Sequence, residues 1–378
     1  MLNNIVRKLK IFSKVEIRDL LNTLRISMCL KGLIILLMGV KIIKKITAQM
    51  HEHVMKIKNC QGKELYTNSA LLVDGIIEIY KKYNFSEPGL GYDVYNIEAE
   101  AAGQDLIFFK DSSPQTNQKD FLINDEKDFD KLKNIKMGKS GRMPFVINAL
   151  KYFQKKYKKV PPLQFCAPFS LAVALYGYEN LVTEMYTASK KIHQLMNDIT
   201  EYVLIPWIEY QKQIVPDWKI ALGADALASP PNLTLDLLEE YTLPYVLRIK
   251  EACGENVGVV NWWGESFVNN LDRFLDLKYQ ASPNNKILRV QDPDLESIDL
   301  DYIVDFVKKN NMDLTFGVGA KILSSGSIAE IEKRVRKYAQ HGKEVKNFSL
   351  YLCNISKDTP SENIFAAVQE GRKVLDYN

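Results

Sequence analysis

The sequence predicts an α/β protein built as a (β/α)8 barrel of the TIM type, and three observations carry that reading. From about residue 90, short β-rich runs alternate with longer helical stretches. Several of those runs are almost continuously apolar, as strands covered on both faces are. The alternation continues to the C-terminus, which suits a closed parallel barrel better than a doubly wound sheet.

Candidate strands lie at 92–97, 106–109, 163–166, 224–228, 257–262, 287–290, 314–318 and 349–353. Between them, 180–202 carries Leu181, Met185, Ile192, Leu195, Met196 and Ile199 at helical spacing. The stretch 327–340 opens with Ser327 and, three residues on, Glu330, the pattern of a capping box, and ends near Gly342. The last helix is expected over 359–375, with Thr359 as its cap, Pro360 in the first turn and Glu362 completing the box. Residues 111–143 and 283–285 read as loops.

The chain has 378 residues, enough for one large barrel, and its 46% hydrophobic and 25% charged content excludes wholesale disorder. Its formal charge of +4 is uneven: residues 1–48 hold ten Lys or Arg against Glu16 and Asp19, leaving about −4 for the rest. The organisation expected is therefore a basic, apolar extension over 1–48 and a barrel over 49–378. The apolar run 32–40, bracketed by Lys31 and Lys41, is far shorter than the roughly 20 residues a membrane span needs. It fits a surface helix with weak membrane contact, an ordinary helical cap, or an over-extended start with the native Met at position 50. No basic stripe suggests nucleic acid. Five dispersed cysteines without a CxxC pattern suggest a reducing, cytoplasmic setting.

In such a barrel the functional residues follow the C-terminal ends of the strands. That rule selects Asp93 and Glu98, then 167–170, 229–232, 261–266, 292–294, 319–321 and 353–358. Adjacent tryptophans, Trp262 and Trp263, ending a strand before Gly264 suit the wall of a pocket for a flat ligand. Asp292 and Asp294 flank Pro293 as turn acids, and the His51–His53 pair is expected on a solvated helix.

These segments resemble the uroporphyrinogen decarboxylase superfamily. It contains tetrapyrrole decarboxylases and methyltransferases that work with corrinoid (cobalamin) proteins or thiol acceptors. The matching pieces are Tyr92-Asp93-Val94-Tyr95-Asn96-Ile97-Glu98, Cys166-Ala167-Pro168-Phe169-Ser170, Gly223-Ala224-Asp225-Ala226, Pro244-Tyr245 and Asp358-Thr359-Pro360-Ser361-Glu362. They run in order across residues 51–374, and the resemblance implies a (β/α)8 fold.

The resemblance places Asp93 where the decarboxylases hold pyrrole nitrogens. Their Arg-rich N-terminal motif has no counterpart, their tyrosine aligns with Ala174 beside Tyr176, and their C-terminal histidine aligns with Cys353. A tetrapyrrole with many carboxylates needs several cationic donors, which these loops lack. In the methyltransferases, zinc is held by a His-x-Cys pair and a later Cys; here Cys353 fits the last ligand, while the pair reads Asn261-Trp262-Trp263. The resemblance thus implies a methyltransferase moving a methyl group between a small methylated donor and a corrinoid cofactor on a separate protein. Asp93, Glu98 and Glu265 are the expected acid–base residues. Asn96, Phe169, Tyr176, Asn261, Trp263 and Lys321 are the expected substrate contacts, Cys353 is the one candidate zinc ligand, and a homodimer is the assembly entertained. The alternatives are decarboxylation of a porphyrinogen-type substrate centred on Asp93, or non-catalytic tetrapyrrole binding.

Overall fold

The computed structural model describes residues 43–375. Seven strands build two parallel arcs of a (β/α)8 barrel. One arc has the order β1 (Ile43–Ala48), β9 (Asn347–Leu352), β8 (Asp313–Val318), β7 (Ile287–Gln291). The other has β4 (Leu163–Cys166), β5 (Ala221–Ala224) and β6 (Val257–Val259). Pairing is parallel from β4 to β6 and from β7 to β9.

Residues 86–92 run between β1 and β4 and bond to both. Ser86 N donates to Ile46 O at 2.9 Å, and Gln164 Nε2 donates to Leu90 O at 2.6 Å. Pro88, Gly89 and Gly91 explain why no regular ladder forms there, since proline lacks an N–H and glycine is a poor strand former. Two expected strands differ accordingly. Residues 92–97 become a 3-10 turn, Val94–Asn96, leading into the helix Ile97–Ala102, because Glu98 to Ala102 are strong helix formers ending at the left-handed Gly103. The 106–109 run instead gives β2 (Leu106–Ile107), paired antiparallel with β3 (Gln115–Thr116) in a small separate hairpin.

A strand lies where the sequence suggests an extension. In β1, Ile46 is fully buried, while Lys44 Nζ reaches Lys343 O at 2.7 Å and Gly342 O at 3.4 Å. A lysine there caps the carbonyl end of the helix Ile328–Gly342, so its charge does not prevent a strand. The rest of the expected extension, with its possible membrane contact, lies outside the described residues. No described helix is long and apolar enough to cross a membrane.

The helix Ile328–Gly342 has both bonds of the Ser327/Glu330 capping box and buries Ile331, Val335, Tyr338 and Ala339 against the sheet. The final helix, Ser361–Val374, starts later than expected, with Pro360 at its cap position; the Thr359 hydroxyl instead accepts Ser356 N at 3.1 Å. The long helix expected over 180–202 breaks at Ala188 and resumes as Ser189–Asp198. It then passes through a π-helical stretch, Ile199–Leu204, into Ile205–Ile214. Pro206 lacks the N–H a regular turn requires, and the wider turn just before it accommodates that loss.

Candidate functional site

Alternation along β7 to β9 separates an outer face from an inner one. Leu288, Val290, Leu314, Phe316, Phe348 and Leu350 are fully buried, and Phe316 meets Tyr338 of the overlying helix edge-on. The intervening residues Arg289, Gln291, Thr315, Ser349 and Tyr351 are only half-buried, so they face a space in the barrel interior that solvent reaches. Register aligns Arg289, Thr315 and Ser349 in one row, and Gln291, Gly317 and Tyr351 in the next toward the C-terminal mouth. Gly317 keeps that upper row open: a Cβ there would stand 2.5 Å from Gln291 Cβ and 2.6 Å from Cys353 Sγ.

Across the interior, the ends of β4, β5 and β6 carry a dense hydrogen-bond network. Asp225 is fully buried; its Oδ1 accepts Ser170 N at 2.8 Å and its Oδ2 accepts Trp262 Nε1 at 3.2 Å. Burial pushes its carboxyl up to about 6 against those bonds. Asn261 Oδ1 accepts Asp225 N at 2.8 Å, and Asn261 Nδ2 donates to the Tyr95 hydroxyl at 2.9 Å. The Tyr95 hydroxyl also accepts Ala226 N at 3.3 Å, which ties it to the end of β5.

Outside β7 to β9 the mouth broadens into a cavity of about 1110 Å³ reaching from Gln291 and Cys353 over Gly319 and Lys321 to Arg334. Asp292 holds this wall together. It accepts Gly319 N at 2.9 Å and Arg334 Nη1 at 2.8 Å, and takes a further bond from the Tyr338 hydroxyl.

The family model for uroporphyrinogen decarboxylase (URO-D) matches residues 38–374, almost the whole described barrel and its first strand. The chain belongs to the uroporphyrinogen decarboxylase family. A curated relative, the methylated-thiol–coenzyme M methyltransferase of Methanosarcina mazei, is 22% identical over 340 residues, spanning 85% of this chain and 82% of its own. A solved structure of a methyltransferase from Methanosarcina mazei superposes with a TM-score of 0.68 at 16% identity, over 88% of this chain and 94% of that one.

Within this URO-D barrel the expected acids do not open on the interior. The Asp93 carboxylate is engaged by Arg142 at 3.0 and 2.7 Å and by Asn96 Nδ2 at 3.1 Å. Arg142 also binds Glu100 at 2.7 Å, so Asp93 and Asn96 belong to a buried ion-pair cluster. Glu98 is fully buried, with Oε1 accepting Cys166 N at 2.8 Å and Oε2 unpartnered; burial pushes its carboxyl up to about 8, which keeps it neutral at physiological pH. Glu265 is buried in a pair with Lys278, and burial pushes it up to about 7. Asp93 and Glu265 are thus engaged by cations, and Glu98 holds the end of β4 through one carboxyl oxygen.

Of the expected substrate contacts, Asn261 lies in the mouth network. Trp263 is half-buried beside it, with Lys278 Nζ 5.6 Å from its ring, and Lys321 lines the outer cavity. Phe169 is fully buried in core, and the Tyr176 hydroxyl meets Lys191 Nζ at 2.6 Å, so neither is part of the mouth. His51 and His53 are buried, bonded to the Tyr66 and Tyr83 hydroxyls at 2.7 and 3.0 Å, and burial lowers both pKa values. They are not on a solvated helix. Tyr95, Asp225, Arg289, Gln291 and Tyr351 were not singled out by the sequence; a charged residue inside the apolar run of β7 was the available signal.

The residues present do not fit a thiol-activating zinc site. Among the described residues no group of three His, Cys, Asp or Glu side chains stands together. Cys353 Sγ donates to Gln291 Oε1 at 3.1 Å, and Asn261 and Trp263, at the other two ligand positions, supply neither imidazole nor thiolate.

Proposed function

We propose that this chain is a methyltransferase that moves a methyl group between a small methylated compound and a corrinoid carried by a separate protein. The observation that carries the reading is the chemistry of the barrel interior. Among the described residues it offers neutral donors and acceptors, Tyr95, Asn261, Gln291 and Tyr351, together with the guanidinium of Arg289. Such a lining suits a small substrate and lacks the several cations a polycarboxylated tetrapyrrole requires. The methyltransferase relative supports the same reading. Asp93, which decarboxylation of a porphyrinogen would need in the cleft, is occupied by Arg142.

In this reading Tyr95 and Asn261 orient the substrate from one side and Gln291 and Tyr351 from the other. The half-buried Trp263 supplies a flat apolar wall near the mouth, where a docked partner excludes water. The corrinoid supplies the cobalt that carries the methyl group.

The test is protein-dependent loss of the methyl–cobalt absorbance when the full chain is mixed with methylcobalamin and a panel of small thiols and amines. Asn261→Ala and Tyr95→Phe are expected to slow that loss by about tenfold or more. No loss with any acceptor, together with turnover of uroporphyrinogen, would sink the methyltransferase reading.

A further inference from the structure

Arg289 differs from Arg142 and Arg334, two other arginines that are wholly or partly withdrawn from solvent. Arg142 lies between Asp93 and Glu100, and Arg334 lies between Asp292 and Glu296. Arg289 has no carboxylate within ion-pair reach among the described residues, and its Nε is shut off from solvent without a hydrogen-bond partner. Its guanidinium stands 5.8 Å from the Tyr351 ring, a contact that fixes its plane but satisfies none of its five N–H groups. The nearest acid along its own strand, Asp292, is already taken by Arg334, Tyr338 and Gly319 N. A guanidinium held half out of water without a counter-charge is less well satisfied than one in bulk solvent, and partial burial lowers its pKa accordingly.

Its neighbours are donors too. Thr315 and Ser349 share its row, one and two strand spacings away (each about 4.8 Å). Neither hydroxyl has a partner among the described residues. Above them, the Cys353 thiol occupies Gln291 Oε1 and so leaves the amide N–H2 of Gln291 as the free end. Tyr351 in turn donates its hydroxyl to Gln49 Oε1 at 3.0 Å, which holds the aromatic wall in place. Guanidinium and two hydroxyls thus share one row and the amide stands in the next, beside the gap left by Gly317, and no carboxylate bonds to any of them among the described residues.

We propose that Arg289, Thr315, Ser349 and Gln291 form a binding site for the anionic head of a small organic acid, a carboxylate or a sulfonate. A planar guanidinium pairs with either group through two parallel bonds. The site deepens the methyltransferase reading, because it would anchor a small substrate or acceptor by its charged end and leave the other end toward Asn261 and Tyr95. It rests on that reading only for which molecule is held.

Calorimetric titration of the full chain with propionate, ethanesulfonate and neutral propionamide tests it. Saturable binding of at least one anion, none of propionamide, and a loss of about tenfold or more in Arg289→Gln are expected. Arg289→Lys should recover part of the affinity, and preference between the two anions identifies the head group. Ser349→Ala, a small change at an inward position, should weaken binding less and covers the case in which Arg289→Gln fails to fold. No binding of either anion, or unchanged affinity in both variants, overturns the site. Because the readout is binding, anion affinity without methylcobalamin turnover removes the methyltransferase reading alone, and turnover without anion affinity removes the anion site alone.

Discussion

The two arcs of the barrel treat polar groups in opposite ways. At the ends of β4 to β6, buried acceptors meet backbone or indole N–H donors: Asp225 meets Ser170 N and Trp262 Nε1, and Glu98 meets Cys166 N through Oε1, with only its Oε2 left over. On β7 to β9, donors face the interior unmet, led by Arg289. Buried polar groups are almost always satisfied, so Asp225 reads as scaffold and the unbonded donors of the second arc as a surface awaiting a ligand, while Asn261 and Tyr95 serve both the network and the mouth. The contrast separates residues that are polar because the fold needs them from those that are polar for another molecule.

The largest effect expected from testing that contrast is on the scaffold side. Asp225→Ala removes the acceptor of two buried N–H groups and should destabilise the protein by about 2–4 kcal/mol in urea unfolding. A change below about 1 kcal/mol would break the comparison.

Glu98 tests the same side. Its folded carboxyl is pushed up to about 8 by burial, while the unfolded chain titrates as an ordinary glutamate. Between those values the folded protein keeps a proton that the unfolded chain releases, so stability falls as pH rises through that window and levels off above about 8. Glu98→Gln keeps the acceptor for Cys166 N and should flatten this slope, a difference of about 4 kcal/mol near pH 8. Parallel stability curves for the two proteins would show that the carboxyl is not held neutral.

The smallest effect belongs to the ligand side. Arg289→Leu, measured without anions, should leave stability unchanged or raise it by about 1 kcal/mol, since a half-buried arginine with no ion-pair partner does not stabilise the fold. A loss of more than about 2 kcal/mol would mean that Arg289 is part of the scaffold.

Much of the barrel was legible beforehand. β4 has the bounds its apolar run suggested, and β7, β8 and β9 differ only at their ends. The capping box at Ser327 formed as its spacing required. Local patterns of this kind report on one element and its nearest neighbours. β1 was harder to see because Lys44 and Lys45 look solvated until the helix end that receives Lys44 is brought beside them.

The sequence by itself determined the barrel class and the family, because periodicity and collinear motifs survive without contacts. Tertiary structure decided which polar residues are free. Asp93, Glu98 and Glu265 looked catalytic by position, yet Arg142, Cys166 N and Lys278 claim them, and those partners lie 49, 68 and 13 residues away. Arg289 looked like an interruption of an apolar strand. Only the register of β7, β8 and β9 reveals it among unpartnered donors, because satisfaction of a buried charge is a property of the assembled neighbourhood and not of the residue.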